Sequence, residues 1–318
     1  MLKSLQEQLN RIATGKGFVA ALDQSGGSTP AALEHYGINR GSFRNEAEMF
    51  AQVQAMRERI VTAPSFSGSK ILAAILFEKT VGSSVDGERM CSFLWNKRGI
   101  SSFLKVDEGL SSEGDGVQLM KPLENLPRLV DLALDQQMIG TKMRSFIEGH
   151  SSEGIAAVVK QQFEYGRSIA DAGLIPILEP EISTKLPDLS RSRAEDILAE
   201  ELLRELDQLP PTVKVIIKLT LPVTPHLYDT LASQDNVLRV LALSGGFSRF
   251  DASARLMKNA PMIASFSRAL LEDLRYAMTD DSFNQALSEA IDQIFDASTR
   301  RRPNVGCAVP VMDIVRGA

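Results

Sequence analysis

The chain has 318 residues, of which 44% are hydrophobic and 24% charged. This composition is typical of a globular protein that buries a large core, and it argues against a disordered chain. With 35 Lys and Arg against 40 Asp and Glu, the net charge is −5, so the overall field does not favour non-specific nucleic-acid binding and any anion site must be local.

The chain begins with apolar residues at helical spacing: Leu2, Leu5, Leu9 and Ile12. Lys, Gln and Glu lie between them, and the segment lacks the apolar core of a signal peptide. We therefore predict a packed amphipathic helix at this position.

Short apolar runs then recur along the chain and predict eight buried strands. They are Phe18–Leu22, Ile71–Phe77, Ser102–Val106, Met138–Met143, Leu174–Leu178, Val213–Leu219, Val237–Leu243 and Met262–Phe266. Amphipathic stretches predict helices over Asn45–Val61, Ile155–Ala172, Arg193–Leu206 and Phe266–Met278. Alternating strands and helices indicate a parallel sheet, and eight units in about 300 residues predict an α/β fold, a single (β/α)₈ TIM barrel. A doubly wound open sheet is the alternative.

Two cysteines, Cys91 and Cys307, are too sparse for a disulfide framework and are typical of free thiols in a reducing compartment. The longest apolar run, Ile71–Phe77, has seven residues. About 20 residues are needed to cross a bilayer. We therefore expect a soluble cytoplasmic protein that binds no membrane and no nucleic acid.

In a TIM barrel the chemistry lies where strands end and the following loops begin. Most predicted strands end in charged residues, and the seventh is followed by Ser-Gly-Gly. These residues are Asp23, Glu78, Lys105, Asp107, Lys142, Arg144, Glu179, Glu181, Lys218, Ser244, Gly245, Gly246 and Arg268. Each one taken alone has a simple structural explanation, because a buried strand must reach water somewhere.

Lys218 differs from the others because it lies inside the apolar segment VIIKLT. Burial of an unpaired ammonium lowers the pKa of a lysine, and the neutral amine is a nucleophile. A nearby Lys142 would lower that pKa further, and Glu179 could transfer protons. A salt-bridged core lysine is the alternative, and Schiff-base chemistry is the leading hypothesis.

The segment LSGGFSR, residues 243–249, offers small residues and free backbone N–H groups after the seventh strand. TIM barrels often bind phosphate after strands seven and eight, and Arg268 adds a guanidinium there. A plain tight turn is the alternative for the glycines.

Two other patterns do not support a site. The segment GKGFVA, residues 15–20, fits a dinucleotide fingerprint but precedes a strand instead of opening a helix. His35, His150 and His226 are widely spaced and form no cluster with strand-end carboxylates, so the sequence predicts no metal site.

Nine ordered segments resemble class I fructose-1,6-bisphosphate aldolase in its short bacterial form. They are GKGFVAALDQSGGS, PSFSGSKILAAILFE, FLKVDEG, DGVQLMKPL, GTKMRS, LIPILEPE, KLTLP, RVLALSGGFSR and MIASFSRAL. The resemblance runs from about residue 12 to about residue 298. It implies a metal-independent aldolase that needs no cofactor and interconverts fructose 1,6-bisphosphate with dihydroxyacetone phosphate and glyceraldehyde 3-phosphate.

The resemblance also implies roles for the catalytic residues. Lys218 matches the lysine that forms the Schiff base at C2, and Glu179 matches the acid and base that helps the carbinolamine lose water. Asp23 matches the carboxylate that acts on the C4 hydroxyl. Lys142 resembles the lysine that orients Asp23 and Lys218, and Glu181 resembles a supporting carboxylate.

The substrate phosphates have implied sites as well. Ser244, Gly245 and Arg268 match the site of the C1 phosphate, to which Gly246 is added as part of the same glycine turn. Lys105 and Arg144 resemble the residues near the C6 phosphate. The expected partners are this phosphorylated sugar and further copies of the chain in a homo-oligomer.

The end of the chain departs from the longer eukaryotic relatives, which end in a tyrosine that takes part in proton exchange. This chain has no tyrosine after Tyr276, so another group or water must serve. We assign residues 1–298 to one barrel domain and residues 299–318 to a tail without an assigned role. A Schiff-base enzyme for another phosphorylated ketose and a non-enzymatic barrel protein are the alternatives.

Overall fold

The structure is a computed structural model that describes residues 2–25 and 28–300. Within these ranges, eight parallel strands form one sheet. They are β1 (Phe18–Leu22), β2 (Ile71–Leu76), β3 (Ser101–Lys105), β4 (Gly140–Ile147), β5 (Ile175–Ile182), β6 (Val215–Thr220), β7 (Val237–Leu243) and β8 (Met262–Ala264). The short segment Val117–Gln118 pairs antiparallel with the end of β4, and Ser84–Val85 forms a hairpin with Glu88–Arg89.

Each strand pairs with the next strand of the chain, in the order β1 to β8. Directly after β8, the Phe266 carbonyl accepts a hydrogen bond from the Ala21 N–H of β1 at 3.1 Å. This bond links the last strand to the first, so the sheet is a nearly closed (β/α)₈ barrel. The predicted fold is confirmed, and the open doubly wound alternative is wrong.

Helices cover the outside of the barrel, apart from α1, which lies at one end. They are α1 (Leu2–Thr14), α2 (Ser28–Tyr36), α3 (Glu46–Thr62), α4 (Glu78–Val81), α5 (Met90–Arg98), α6 (Leu126–Asp135), α7 (Ser152–Asp171), α8 (Asp188–Leu206), α9 (Asp229–Ala232), α10 (Arg249–Leu256), α11 (Arg268–Leu271) and α12 (Asp280–Thr299). A 3₁₀ turn spans Arg40–Ser42. None of the helices that the structure describes is long and apolar enough to span a membrane.

The predicted helix over Phe266–Met278 is wrong, because only the single turn of α11 forms there. Tertiary hydrogen bonds fix the chain that follows in a non-helical path. The Glu272 carboxylate accepts from the Arg249 N–H at 2.6 Å, and the Tyr276 N–H donates to the Tyr36 carbonyl at 2.7 Å. These long-range contacts override the local helical pattern.

Strands β4 and β5 each continue four residues beyond the predicted runs, which ended at Met143 and Leu178. The β4 extension begins with Arg144 and Ser145, and the β5 extension alternates Glu179 and Glu181 with apolar residues, so hydrophobicity alone does not mark either as strand. A strand with one charged face is expected where that face reaches the mouth of a barrel.

The core has two layers, one between the barrel and the helices and one inside the barrel. Helix α1 closes the amino-terminal end of the barrel. Ile12 is fully buried in the inner layer, and Leu5 and Leu9 pack against it. Arg239 of β7 donates to the carbonyls of Ile12 and Gly15, each at 2.8 Å. Solvent therefore reaches the barrel interior from the opposite, carboxyl-terminal mouth.

Cys91 is buried and free, and burial raises the pKa of its thiol to about 12. Cys307 and residues 301–318 of the predicted tail lie outside the described residues. Helix α12 ends at Thr299, which is the first residue of the predicted tail.

The barrel wall has no space for a side chain at Gly140. A Cβ atom there would lie 1.9 Å from the Ile175 carbonyl oxygen and 2.8 Å from the Phe103 ring. The Ile175 carbonyl belongs to the strand that flanks Gly140 in register, so it cannot move without disturbing the sheet, and the Phe103 ring is confined by the inner core layer. Glycine at this position allows the Phe103 ring to fill the barrel interior.

We predict that Gly140→Ala lowers the free energy of unfolding by about 3 kcal/mol or more, because overpacking a barrel wall displaces backbone. Urea unfolding followed by circular dichroism measures it. Gly41→Ala is the matched control, since no atom lies within 4 Å of a Cβ there. The control should change stability by less than about 0.5 kcal/mol. Equal stability of the two variants would mean that the barrel wall relaxes around a methyl group.

Candidate active site

The side chains that face the barrel axis change from apolar to charged toward the mouth. In β5, Ile177 belongs to the inner core layer, and Glu179 and Glu181 follow it at two-residue spacing. In β6, Lys218 follows Ile216 in the same way. Because side chains alternate along a strand, these charged groups point to the barrel axis above the apolar layer.

Four charged groups meet at the centre of this mouth. Lys142 Nζ lies 2.9 Å from Asp23 Oδ2 and 2.5 Å from Glu179 Oε2. Lys218 Nζ lies 2.8 Å from Glu179 Oε1, so the two lysines contact different oxygens of one carboxylate. All four side chains are at most 10% exposed. The Lys218 ammonium is therefore buried, as the sequence analysis expected, but it is paired with Glu179.

The close contacts set the charge of each group. Burial opposes ionisation of Asp23, but Lys142 and Lys218 hold the pKa of its carboxyl well below the ordinary value. Burial also opposes ionisation of Glu179, and the same two lysines lower its pKa. Burial alone would lower the pKa of Lys142, yet Asp23 and Glu179 raise it above its ordinary value. Lys142 is thus a permanent cation between two ionised carboxylates.

Two more ion pairs flank this cluster. Lys105 Nζ donates to the Asp107 backbone oxygen and to Asp107 Oδ1, each at 2.7 Å. Arg144 is paired with Glu181, which raises the pKa of the partly buried guanidinium despite its burial. Lys105 and Arg144, which the sequence analysis selected as phosphate-binding cations, therefore both have a carboxylate partner.

The loops after β7 and β8 form a different part of the mouth. Ser244 is buried, and Gly245 and Gly246 have φ values of 59° and 101°, where a side chain would be strained. The Gly245 carbonyl accepts from Thr184 Oγ1 at 2.6 Å. A Cβ at Gly246 would lie 3.6 Å from Arg268 Nη2, so the guanidinium lies beside this turn. Glycine here keeps backbone N–H groups and the Arg268 guanidinium accessible to an anion.

These groups line a cavity of about 600 Å³. The residues predicted from the sequence lie on its wall, with two exceptions, Glu78 and Gly246. Glu78 is paired with Arg128 instead, and Gly246 lines a neighbouring cavity of 430 Å³ that shares Gln24 and Arg268. The charged residues of the larger cavity are Asp23, Glu46, Lys79, Lys105, Asp107, Glu108, Lys142, Arg144, Glu179, Glu181, Lys218 and Arg268. The structure therefore brings most of the predicted strand-end residues together in one place.

Arg57, which was not predicted from the sequence, is buried on α3 beneath the loop after β1. Arg57 donates to the Gln24 carbonyl and, at 2.8 Å, to Thr80 Oγ1. Gln24 Nε2 donates in turn to Ser267 Oγ at 2.6 Å. Burial lowers the pKa of Arg57 to about 10, and Asp23 partly offsets this. An arginine within the apolar stripe of a helix was the available signal.

Within the described ranges, His, Cys, Asp and Glu side chains form no group of three or more that could hold a metal ion. Two of the histidines have other partners. His35 Nε2 lies 2.7 Å from the Glu272 carbonyl oxygen, and His226 Nδ1 lies 3.0 Å from Asp229 Oδ2.

No protein-family model matches the chain. Among solved structures, it is similar to fructose-bisphosphate aldolase from Plasmodium falciparum in a ternary complex with TRAP and a small-molecule inhibitor. The sequence identity is 18% and the TM-score is 0.70, and the match covers 93% of this chain and 94% of that chain. It is also similar to Cgl0159 from Corynebacterium glutamicum, with 14% identity and a TM-score of 0.52 over 93% and 92% of the two chains. At these identities the likeness shows the barrel fold alone.

We predict that Lys142→Met lowers the free energy of unfolding by about 3 to 5 kcal/mol at pH 7, because Asp23 and Glu179 lose their shared cation inside the protein. Without Lys142, Asp23 has no direct ion pair among the described residues and burial should raise the pKa of its carboxyl above the value in the unfolded chain, whereas Glu179 keeps its pair with Lys218. The folded variant would then bind protons as the pH falls, so its deficit relative to wild type should shrink between pH 7 and about pH 4. Urea unfolding at several pH values measures this.

The control is Arg204→Met, which removes an exposed pair with Glu201 at 2.7 Å. It should cost less than about 1 kcal/mol at every pH. A Lys142→Met deficit that is equally large at pH 4 and pH 7 would contradict the electrostatic explanation and indicate lost packing instead.

Proposed function

We propose that the chain is a class I fructose-1,6-bisphosphate aldolase of the short bacterial form, acting in glycolysis and gluconeogenesis in the cytoplasm. It would cleave fructose 1,6-bisphosphate reversibly, without a metal ion, through a Schiff base on Lys218. The observation that carries the proposal is the position of Glu179 between two buried lysines, which pairs a nucleophile with a proton acceptor inside a charged cavity. The nine sequence motifs and the likeness to the Plasmodium aldolase support it.

The first step forms the covalent adduct. Lys218 transfers a proton to Glu179 Oε1, 2.8 Å away, and the neutral amine attacks the C2 carbonyl carbon of the ketose. A proton moves from nitrogen to the former carbonyl oxygen and gives a carbinolamine. Glu179 then returns its proton to that hydroxyl, which leaves as water, and a protonated imine remains on Lys218.

The second step breaks the carbon–carbon bond. Asp23 takes the proton of the C4 hydroxyl, the C4–O bond becomes the aldehyde carbonyl, and the C3–C4 electron pair moves into the imine to give an enamine. The protonated imine accepts this electron pair, as a neutral ketone would not. The low pKa of Asp23 beside Lys142 keeps the carboxylate free of its own proton. Glyceraldehyde 3-phosphate leaves, and protonation and hydrolysis of the enamine release dihydroxyacetone phosphate.

The two phosphates would bind at different loops. We assign the C1 phosphate to Ser244, the Gly245–Gly246 turn and Arg268, where backbone N–H groups and a guanidinium are accessible. We assign the C6 phosphate to the loops after β3 and β4, near Lys105 and Arg144. Lys218 on β6 lies closer in the strand order to β7 and β8, so C2 meets the amine beside the first site.

The decisive experiment traps the adduct. Dihydroxyacetone phosphate and borohydride, in buffer that contains EDTA, should add one reduced triose phosphate to Lys218, located by peptide mass spectrometry. Lys218→Met should remain unlabelled. An unlabelled wild-type protein, or a label on another lysine, would contradict the Schiff base. Cleavage that EDTA abolishes and Zn²⁺ restores would contradict the metal-independent mechanism.

Asp23→Asn should separate the two steps. Because Asp23 acts after the adduct forms, the variant should still trap dihydroxyacetone phosphate on Lys218, while cleavage of fructose 1,6-bisphosphate falls about 10²- to 10⁴-fold. Steady-state kinetics and the trapping assay measure these two effects. Asp131→Asn, on the exposed face of α6, is the control and should change neither. Loss of trapping in Asp23→Asn would assign Asp23 to adduct formation instead.

A further inference from the structure

The cations on the wall of the 600 Å³ cavity are unequally neutralised. Four of the six have a carboxylate partner: Lys105, Lys142, Arg144 and Lys218. Among the described residues, the other two, Lys79 and Arg268, form no ion pair. Arg268 already belongs to the proposed C1 phosphate site, so Lys79 is the cation of the cavity that the proposed reaction does not use.

The local structure explains why Lys79 has no carboxylate partner. Lys79 lies in α4, the single turn directly after β2, next to Glu78. Glu78 is paired with Arg128 of α6 at 2.6 Å, so it does not neutralise its neighbour. The Lys79 ammonium lies 3.5 Å from the centre of the Phe50 ring, which in turn stacks on Phe77. A contact between an exposed ammonium and an aromatic face is weak, so a phosphate can compete with it.

The cavity wall around Lys79 comes from α3 and the loops after β2 and β3. Strands β2 and β3 are paired in register up to Leu76 and Leu104, so Lys105 at the end of β3 is next to the start of the Lys79 loop. Two acidic residues, Glu46 and Glu108, also line this part of the cavity. Glu108 Oε1 is engaged by the Asn125 N–H and side-chain amide at 3.0 and 3.2 Å.

We propose that Lys79, on the turn after β2, also binds the C6 phosphate, and that it does so together with Lys105 on the side of that site that faces β2. The inference rests on the proposed aldolase function and adds a residue that determines substrate class. Lys105 is paired with Asp107, whereas Lys79 contacts the face of the Phe50 ring and, among the described residues, no carboxylate, so its charge can attract a dianion. Lys79 therefore makes the site selective for sugars that are phosphorylated at both ends.

The test compares a bisphosphate with a monophosphate. Lys79→Met should lower kcat/KM for fructose 1,6-bisphosphate about 10-fold, mostly by raising KM. It should change kcat/KM for fructose 1-phosphate less than about 2-fold. Lys79→Arg keeps the charge and should restore most of the loss. Arg268→Ala should impair both substrates, since both carry the C1 phosphate. Lys160→Met on the exposed face of α7 is the matched control and should match wild type.

A second measurement does not depend on turnover. Inorganic phosphate should slow the acetylation of Lys79 in the wild-type protein and should not change the rate at which Lys160 is acetylated. Peptide mass spectrometry measures both rates. Protection of Lys79 in a protein that neither cleaves the bisphosphate nor traps dihydroxyacetone phosphate would support the anion site and reject the aldolase function.

Two results would overturn the role of Lys79 while the aldolase function stands. One is a Lys79→Met variant whose kcat/KM equals that of Lys160→Met for both substrates, in a protein where phosphate does not slow the acetylation of Lys79. The other is an equal loss on bisphosphate and monophosphate, which would assign Lys79 to folding or to a step common to both.

Discussion

The mouth of the barrel depends on one carboxylate that is shared by two ammonium groups. Glu179 contacts Lys142 through one oxygen and Lys218 through the other, and Lys142 reaches on to Asp23. Four buried charges of this kind are tolerable because they balance one another and lie within ion-pair distance. The same arrangement that makes the charges tolerable also connects the nucleophile to the proton acceptor. Stability and the proposed chemistry therefore depend on the same contacts.

The alternation of side chains along the strands positions this cluster. Inward residues form an apolar layer near α1 and a charged layer at the mouth, as in β5 from Ile177 to Glu181. The apolar layer and the α1 plug exclude water from below, which strengthens every charge interaction above it. A shift of one residue in the register of β5 would turn both glutamates toward the helices. The close packing at Gly140 is one of the contacts that prevents such movement.

Buried arginines hold the loops around the charged layer. Arg57 binds the Gln24 carbonyl after β1, and Arg191 of α8 binds the Leu221 carbonyl after β6. Arg191 is paired with Glu195 at 2.8 Å, and Glu195 accepts from the Val223 N–H at 2.8 Å. Burial raises the pKa of Glu195, although that N–H and Arg191 oppose the shift. These two arginines belong to the scaffold of the site, whereas Arg268 and Lys79 remain available to anions.

Local pattern determined much of this protein from sequence alone. Apolar runs marked all eight strands, and the position of Lys218 within VIIKLT marked a buried lysine, because both follow from residue order over a few positions. Local pattern did not predict which charges pair, since Asp23, Lys142 and Glu179 are distant in sequence and meet only when the sheet closes. Within the part of the chain that the structure describes, Lys79 likewise has no carboxylate partner, while its neighbour Glu78 is paired with Arg128 of α6. Which charges are neutralised and which remain available is therefore decided by the tertiary structure.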